Sequence, residues 1–134
     1  MKISIIGKLG IAMLVMLLAA GTVSASGGSS YSSPETIYVP LGTIDIWSGD
    51  CDNEDWYRFG TNHWEDVYID LDNTFAQDGG EMNLHDDAEN DIIAWVSSSS
   101  SNHWCDPSNA LPCIEIEEGT TSDYDFIVGR YDFS

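Results

Sequence analysis

From Thr36 onward the apolar positions recur at every second residue, the spacing of a strand with one face turned to a core. In "EDVYIDLD" Val67, Ile69 and Leu71 fall on one face, Tyr68 and Asp70 on the other. "EMNLHD" sets Met82 and Leu84 against Asn83 and His85, "CIEIEE" turns Ile114 and Ile116 inward, and "SDYDFIVGRY" aligns Tyr124, Phe126 and Val128. "DIIAWVS" is a more continuous apolar run, the pattern of a more fully buried strand. The shorter runs "TIYVPLG" and "TIDIWSG" end at Gly42 and Gly49, and "DWYRF" follows an acidic stretch. No segment after residue 25 repeats apolar residues at i, i+3, i+4 and i+7 over a helical length. Seven or eight short strands with turn signals between them predict an all-β, antiparallel two-sheet β-sandwich. Its expected core holds Val67, Ile69, Leu71, Leu84, Ile93, Trp95, Ile114, Ile116, Phe126 and Val128. "DDAEND" reads as a tight hairpin connection, and "AQDGGE" puts Gly79 and Gly80 where a turn needs positive φ.

The N-terminus has a different pattern. Lys2 and Lys8 precede the apolar run "LGIAMLVMLLAA", and "GTVSA" supplies small residues, with Val23 and Ala25 at the positions a signal peptidase reads. The run is shorter than the roughly 18 to 20 residues a membrane-spanning helix needs, so residues 1–25 are expected to be a cleaved signal peptide. Residues 26–34, "SGGSSYSSP", read as a flexible Ser/Gly lead-in with no packing potential. Residues 35–134 are the sandwich domain. The expected product is secreted, either extracellular or at the cell surface, with no stable membrane insertion of the mature chain.

Charge narrows the partners. The chain carries a formal −19, and removing residues 1–25 from 134 leaves 109 residues and takes away both lysines, moving the balance to −21. Only Arg58 and Arg130 then remain against 23 acidic residues. Such a surface repels nucleic acid, whose non-specific binding draws on phosphate contacts from Lys and Arg. The excess fits either solubility, including life in high salt, or carboxylates that neutralise a divalent cation. Disorder is opposed by five Trp, six Tyr and four Phe.

The order "DNEDWYRF", "VYIDLD", "MNLHDDAENDIIAWVSSS", "IEIEEGTTSDYDFIVGRY" resembles the bacterial and archaeal pre-peptidase C-terminal (PPC) domain over about residues 44–131. The resemblance implies a β-sandwich of jelly-roll type with a binding, secretion or maturation role and no chemistry of its own. Some members bind calcium or extracellular polymers. The chain departs from the family pattern in its long cysteine-bearing loop and its acidity, and it reads as a free-standing secreted copy, so its partner is expected to be an extracellular polymer, a surface protein or itself.

A search for chemistry finds little. Serines cluster in low-complexity stretches with no G-x-S-x-G turn. His63, His85 and His103 are far apart in sequence and read first as solvated histidines, His85 on a sheet surface. The repeat of "NHW" at 62–64 and 102–104 has no repeated flanks. In "DCDNEDWYRF", residues 50–59, Asp50, Asp52 and Glu54 alternate as oxygen ligands do in calcium loops, with Asn53 and Asp55 beside them. Position six is Asp55 and no Glu closes the loop, so this is not an EF-hand. The stretch is open to two readings, a calcium site or the acidic approach to a strand whose Trp56, Tyr57 and Phe59 pack in the fold. If every strand reverses, the serine loop and the start of "CIEIE" lie at the same end as this stretch, which gathers Cys51, Cys105 and Cys113 and offers Asp106 as a fourth calcium ligand, and sets His63 at the other end. Cys105 and Cys113 bracket "DPSNALP", whose turn formers favour their disulfide, although three cysteines permit three single bridges. Three functional readings follow: a non-catalytic secreted binding or cell-surface module, stabilised by calcium if the acidic stretch is a site; a self-assembling subunit of an extracellular polymer or surface layer; and a small metal-dependent hydrolase.

Overall fold

The structure is a computed structural model and describes residues 23–51, 53–62, 65–100 and 103–132. The expectations for residues 1–22, Asp52 and His63 therefore lie outside the described residues. Among the described residues, ten strands and one short helix follow in order: β1 (Val23–Ser24), β2 (Glu35–Thr36), β3 (Thr43–Asp50), β4 (Glu54–Arg58), β5 (Asp66–Leu71), α1 (Asn73–Gln77), β6 (Glu81–His85), β7 (Ile92–Val96), β8 (His103–Cys105), β9 (Cys113–Glu117) and β10 (Asp123–Tyr131). One sheet has the order β1-β3-β10-β5-β8, the other β2-β4-β9-β6-β7. Apart from the two-residue β1 and β2, which join their sheets parallel, all pairings are antiparallel. The eight main strands pass between the sheets in the winding order of a jelly roll, so the sandwich read from the alternation is the fold.

The period of two sets the core. Val128 pairs with Ile69 and Phe126 with Leu71 in sheet one, while Leu84 pairs with Ile114 and Met82 with Ile116 in sheet two. These eight side chains, with Val67, Tyr57, Phe59 and Tyr124, form one buried cluster between the sheets. Two expected core positions differ. β7 is the outermost strand of sheet two and turns Ala94 and Val96 inward, leaving Ile93 partly buried and Trp95 half exposed. An edge strand has one covered face, so the pleat decides which apolar residues are buried. Outside sheet one, Tyr68, Ile44 and Ile127 form a second small cluster with Trp104 and Tyr131.

Helix α1 is an element that the periodicity does not show, since one turn is too short to repeat. Asp72 caps it by accepting from the Thr74 amide at 2.9 Å, and Phe75 and Ala76 are buried beneath it. Gly79, at φ +96°, ends the turn.

The strand register defines two ends. Asp50, Glu54, Glu81, Glu117 and Asp123 mark the upper end; Thr43, Arg58, Asp66, His85, Cys113 and Tyr131 mark the lower. The strands do alternate in direction, but the serine loop contains β8, paired to β5 through Val67 and Cys105. That extra reversal moves everything after it. Cys105, Asp106 and Cys113 lie at the lower end, opposite Cys51, Asp50 and Glu54. All three cysteines are free in this structure, Cys105 and Cys113 in different sheets, and the expected bridge between them is not seen here.

Candidate functional site

The outer face of sheet two carries a close set of polar and aromatic side chains. Because Tyr57, Met82, Leu84, Ile114 and Ile116 point into the core, their neighbours point out: Trp56 and Arg58 from β4, Glu115 and Glu117 from β9, Asn83 and His85 from β6. Register lines up Trp56, Glu115, Asn83 and Trp95 in one cross-strand row, and Arg58, Cys113 and His85 in the next.

Residues 26–34, expected to pack on nothing, cross this face. Gly28 exchanges backbone hydrogen bonds with Trp56 at 2.7 and 3.0 Å. Tyr31 then stands edge-on to the Trp56 ring at 5.9 Å and to His85 at 6.3 Å, and the Arg58 guanidinium lies 5.3 Å from its ring centre. The cover changes the chemistry below it. His85 is only 2 % exposed, not a solvated surface histidine, and its Nε2 lies 2.8 Å from Glu115 Oε2. Burial lowers the His85 pKa against the opposing pull of the Glu89 backbone and nearby carboxylates, and burial raises those of Glu115 and Glu117. A neutral imidazole beneath a tyrosine, with its Nε2 taken up by a carboxyl, has no approach for a substrate. This is a packed polar cluster.

Below the cover, the register continues past the ends of the strands. Ile37 N donates to Arg58 O at 2.8 Å, Phe59 N to Pro112 O at 3.4 Å and Thr61 N to Ala110 O at 2.9 Å. Tyr38, Gly60 and Leu111 therefore share one row. Ile37, Val39, Phe59 and Pro112 point inward, so this row points out, with Tyr38 80 % and Leu111 55 % exposed on either side of a glycine that has no side chain. Two large exposed side chains thus flank a bare glycine on a strongly acidic molecule. The alternation of "TIYVPLG" contains this signal, since Ile37 and Val39 inward forces Tyr38 outward. The match of Leu111 to Gly60 depends on the pairing of two distant segments and is not readable locally.

The residues of the acidic stretch are dispersed. Asp50 and Glu54 are exposed at the upper end, and Asp106 is at the lower end, so it does not join them. Asn53 adopts φ +125° in the turn between β3 and β4, and its carbonyl accepts from the Glu118 amide at 2.9 Å. Asp55 is buried and accepts from the Tyr124 hydroxyl at 2.6 Å, and that hydroxyl also contacts Tyr57. Among the described residues no three His, Cys, Asp or Glu side chains converge in an arrangement that holds a metal. Tyr57 and Phe59 are core, as the strand reading expects, while Trp56 is buried on the outer face. His103 Nε2 lies 2.7 Å from Ser100 Oγ, with its ring 5.8 Å from Trp95. No cysteine is poised for nucleophilic chemistry: burial pushes the Cys51 thiol up to about 11 and that of Cys105 to about 12, and it raises Cys113 as well. Among the described residues, no helix is long and apolar enough to cross a membrane.

No family model and no curated protein matches the chain. Solved structures do. PliG of Salmonella Typhimurium, a periplasmic lysozyme inhibitor of g-type lysozyme, aligns with TM-score 0.52 at 14 % identity over 72 % of this chain and 98 % of its own. PliG of Aeromonas hydrophila, described in the same words, aligns with TM-score 0.52 at 9 % identity over 72 % and 97 %. The pre-peptidase C-terminal domain of a collagenase from Bacillus anthracis aligns with TM-score 0.47 at 15 % identity over 72 % and 94 %. At these identities the likeness is one of fold.

Proposed function

We propose that the protein is a non-catalytic binding module acting outside the cytoplasm, and that its partner is a protein with a basic surface around an apolar projection. The row Tyr38–Gly60–Leu111 carries this reading. Tyrosine is among the residue types that dominate binding energy at interfaces. Here it stands exposed with an exposed leucine across a bare glycine, and the net negative charge of the chain steers a cationic partner. The export signal read in residues 1–25 supports the compartment. The two fold relatives are named as inhibitors of g-type lysozyme, which makes that enzyme the first probe.

The test is calorimetric titration of the exported protein with g-type lysozyme and a panel of basic proteins, at low and at physiological salt. Binding that survives physiological salt and weakens at least about tenfold, or 1.4 kcal/mol, in Tyr38→Ala with Leu111→Ala supports the reading. Binding that vanishes with salt, or that the double variant keeps, overturns it. A second reading, self-assembly through a sheet edge, is favoured by half-exposed Trp95 on the outermost strand of sheet two. Concentration-dependent oligomers lost in Trp95→Lys support that alternative. A calcium role narrows to Asp50, Asp52 and Glu54, since Asp106 lies at the far end of the fold.

A further inference from the structure

The lead-in contains a contact whose donor the export signal would transform. Glu35 Oε2 accepts from the Ser26 amide at 2.9 Å, from the Ser26 hydroxyl at 3.2 Å and from the Gly27 amide at 2.6 Å. Three donors from two consecutive residues converge on one carboxylate oxygen. Gly27 takes φ +72° here, where a Cβ would collide with the Asp55 side chain, and a Cβ on Gly28 would collide with the backbone at Ser33 and Pro34. The two glycines let the chain turn into Glu35 and then onto Trp56. Ser26 is also the residue that follows the Val23-x-Ala25 recognition pattern.

We infer that Glu35 is the receptor for the mature N-terminus: hydrolysis of the Ala25–Ser26 bond gives Ser26 an α-ammonium that pairs with the Glu35 carboxylate. Water supplies the hydroxyl of the new Ala25 carboxyl and one proton to the Ser26 nitrogen, which takes a further proton from solvent at neutral pH. A hydrogen bond from a neutral amide to a carboxylate becomes an ion pair between two charged groups. The same cut removes Val23 and Ser24, the residues that pair with Trp47 and Ser48 of β3, and the Ala25 amide that donates to Ser48 O at 2.9 Å. Processing thus exchanges a two-residue strand on sheet one for an ion pair beside sheet two, which adds to the Gly28–Trp56 hydrogen bonds that hold the lead-in over His85. The inference rests on the export reading of residues 1–25 and is independent of the binding proposal.

The sequence makes the test clean, because both lysines, Lys2 and Lys8, precede the cut and leave the α-amine as the sole amine of the mature chain. The full chain is exported from a bacterial host and its intact mass measured; a chain starting at Ser26 is expected, and any other start overturns the inference. Acylation by an amine-reactive ester is then followed across pH in the folded and the urea-unfolded protein. Facing Glu35 and the neighbouring Asp55, the folded amine is expected to react several-fold more slowly, with its titration moved upward. Glu35→Gln should restore the unfolded rate, and blocking the amine by acetylation should lower the melting temperature of the wild type but not of Glu35→Gln. Equal rates in the folded and unfolded wild type overturn the inference without any variant.

Discussion

Arg130 shows how little positive charge this fold runs on. Its Nε and Nη2 each reach Glu65 at 2.9 Å, and its Nη1 donates to Val39 O at 2.6 Å. Both partners are nearly out of solvent, at 11 % and 4 % side-chain exposure. Burial alone would push Glu65 up, but the paired Arg130 contact and the Asn62 hydrogen bonds hold its pKa below the ordinary glutamate value. A depressed carboxyl stabilises the fold above its unfolded pKa, and that contribution is lost as pH falls through the folded pKa. Arg130→Ala should cost about 3–5 kcal/mol by urea unfolding, because it strands a buried carboxylate, and should shift acid unfolding to higher pH. A loss near that of an exposed pair, below about 1 kcal/mol, would remove this assignment. The cysteines make a second residue-scale expectation. Without reductant, native protein at pH 8 should resist alkylation, and unfolded protein should take up one label at each of Cys51, Cys105 and Cys113. Labelling of only one of the three after unfolding would mean that a disulfide holds the other two.

At the scale of elements, alternation was the legible part and adjacency was not. Val67, Ile69, Leu71, Ile114, Ile116, Phe126 and Val128 are core because a pleat cannot put them elsewhere once one face is dry. Ile69, fully buried between Val128 and the facing sheet, should cost about 2–5 kcal/mol on truncation to Ala. The same rule misplaces Trp95, since apolar content alone does not say that β7 is an edge. β8 escaped because three residues among serines make no period, and that omission carried Asp106 and Cys113 to the wrong end. The cover over His85 was hidden for another reason. "SGGSSYSS" has the composition of a linker, yet one tyrosine, two glycines and Glu35 suffice to dock it when an aromatic row waits on the sheet. His85 gives the readout. In the wild type its imidazole should titrate below the ordinary histidine value, so that its burial stabilises the fold above that value and ceases to do so as pH falls. Tyr31→Ala should move the titration upward in NMR spectra. An unchanged titration would show that Tyr31 contributes nothing to the desolvation of His85.

At the scale of the whole molecule, Arg130 is paired with Glu65 and Arg58 lies against Tyr31, and the two arginines offset little of the acidic surface. Self-repulsion at a formal −19 then opposes the compact state, and mobile ions relieve it over a screening length of roughly 10 Å at 0.1 M, falling to about 3 Å at 1 M. The melting temperature should therefore climb with sodium chloride and level off once the screening length is shorter than the spacing between neighbouring surface carboxylates. A flat response would mean that the acidic side chains are too far apart to matter. Calcium sharpens the experiment. Screening acts on every exposed carboxylate, whereas a bound ion needs six to eight oxygens in one place. Asp50 and Glu54 share the upper end and Asp106 does not, so any increment from calcium beyond matched ionic strength should be lost in Asp50→Asn or Glu54→Gln and kept in Asp106→Asn. If Asp106→Asn abolishes the increment, the ion sits at the lower end, and the upper-end assignment fails. If calcium and sodium act alike, the acidic stretch serves as the approach to β4, and the charge works through its total and not through a site.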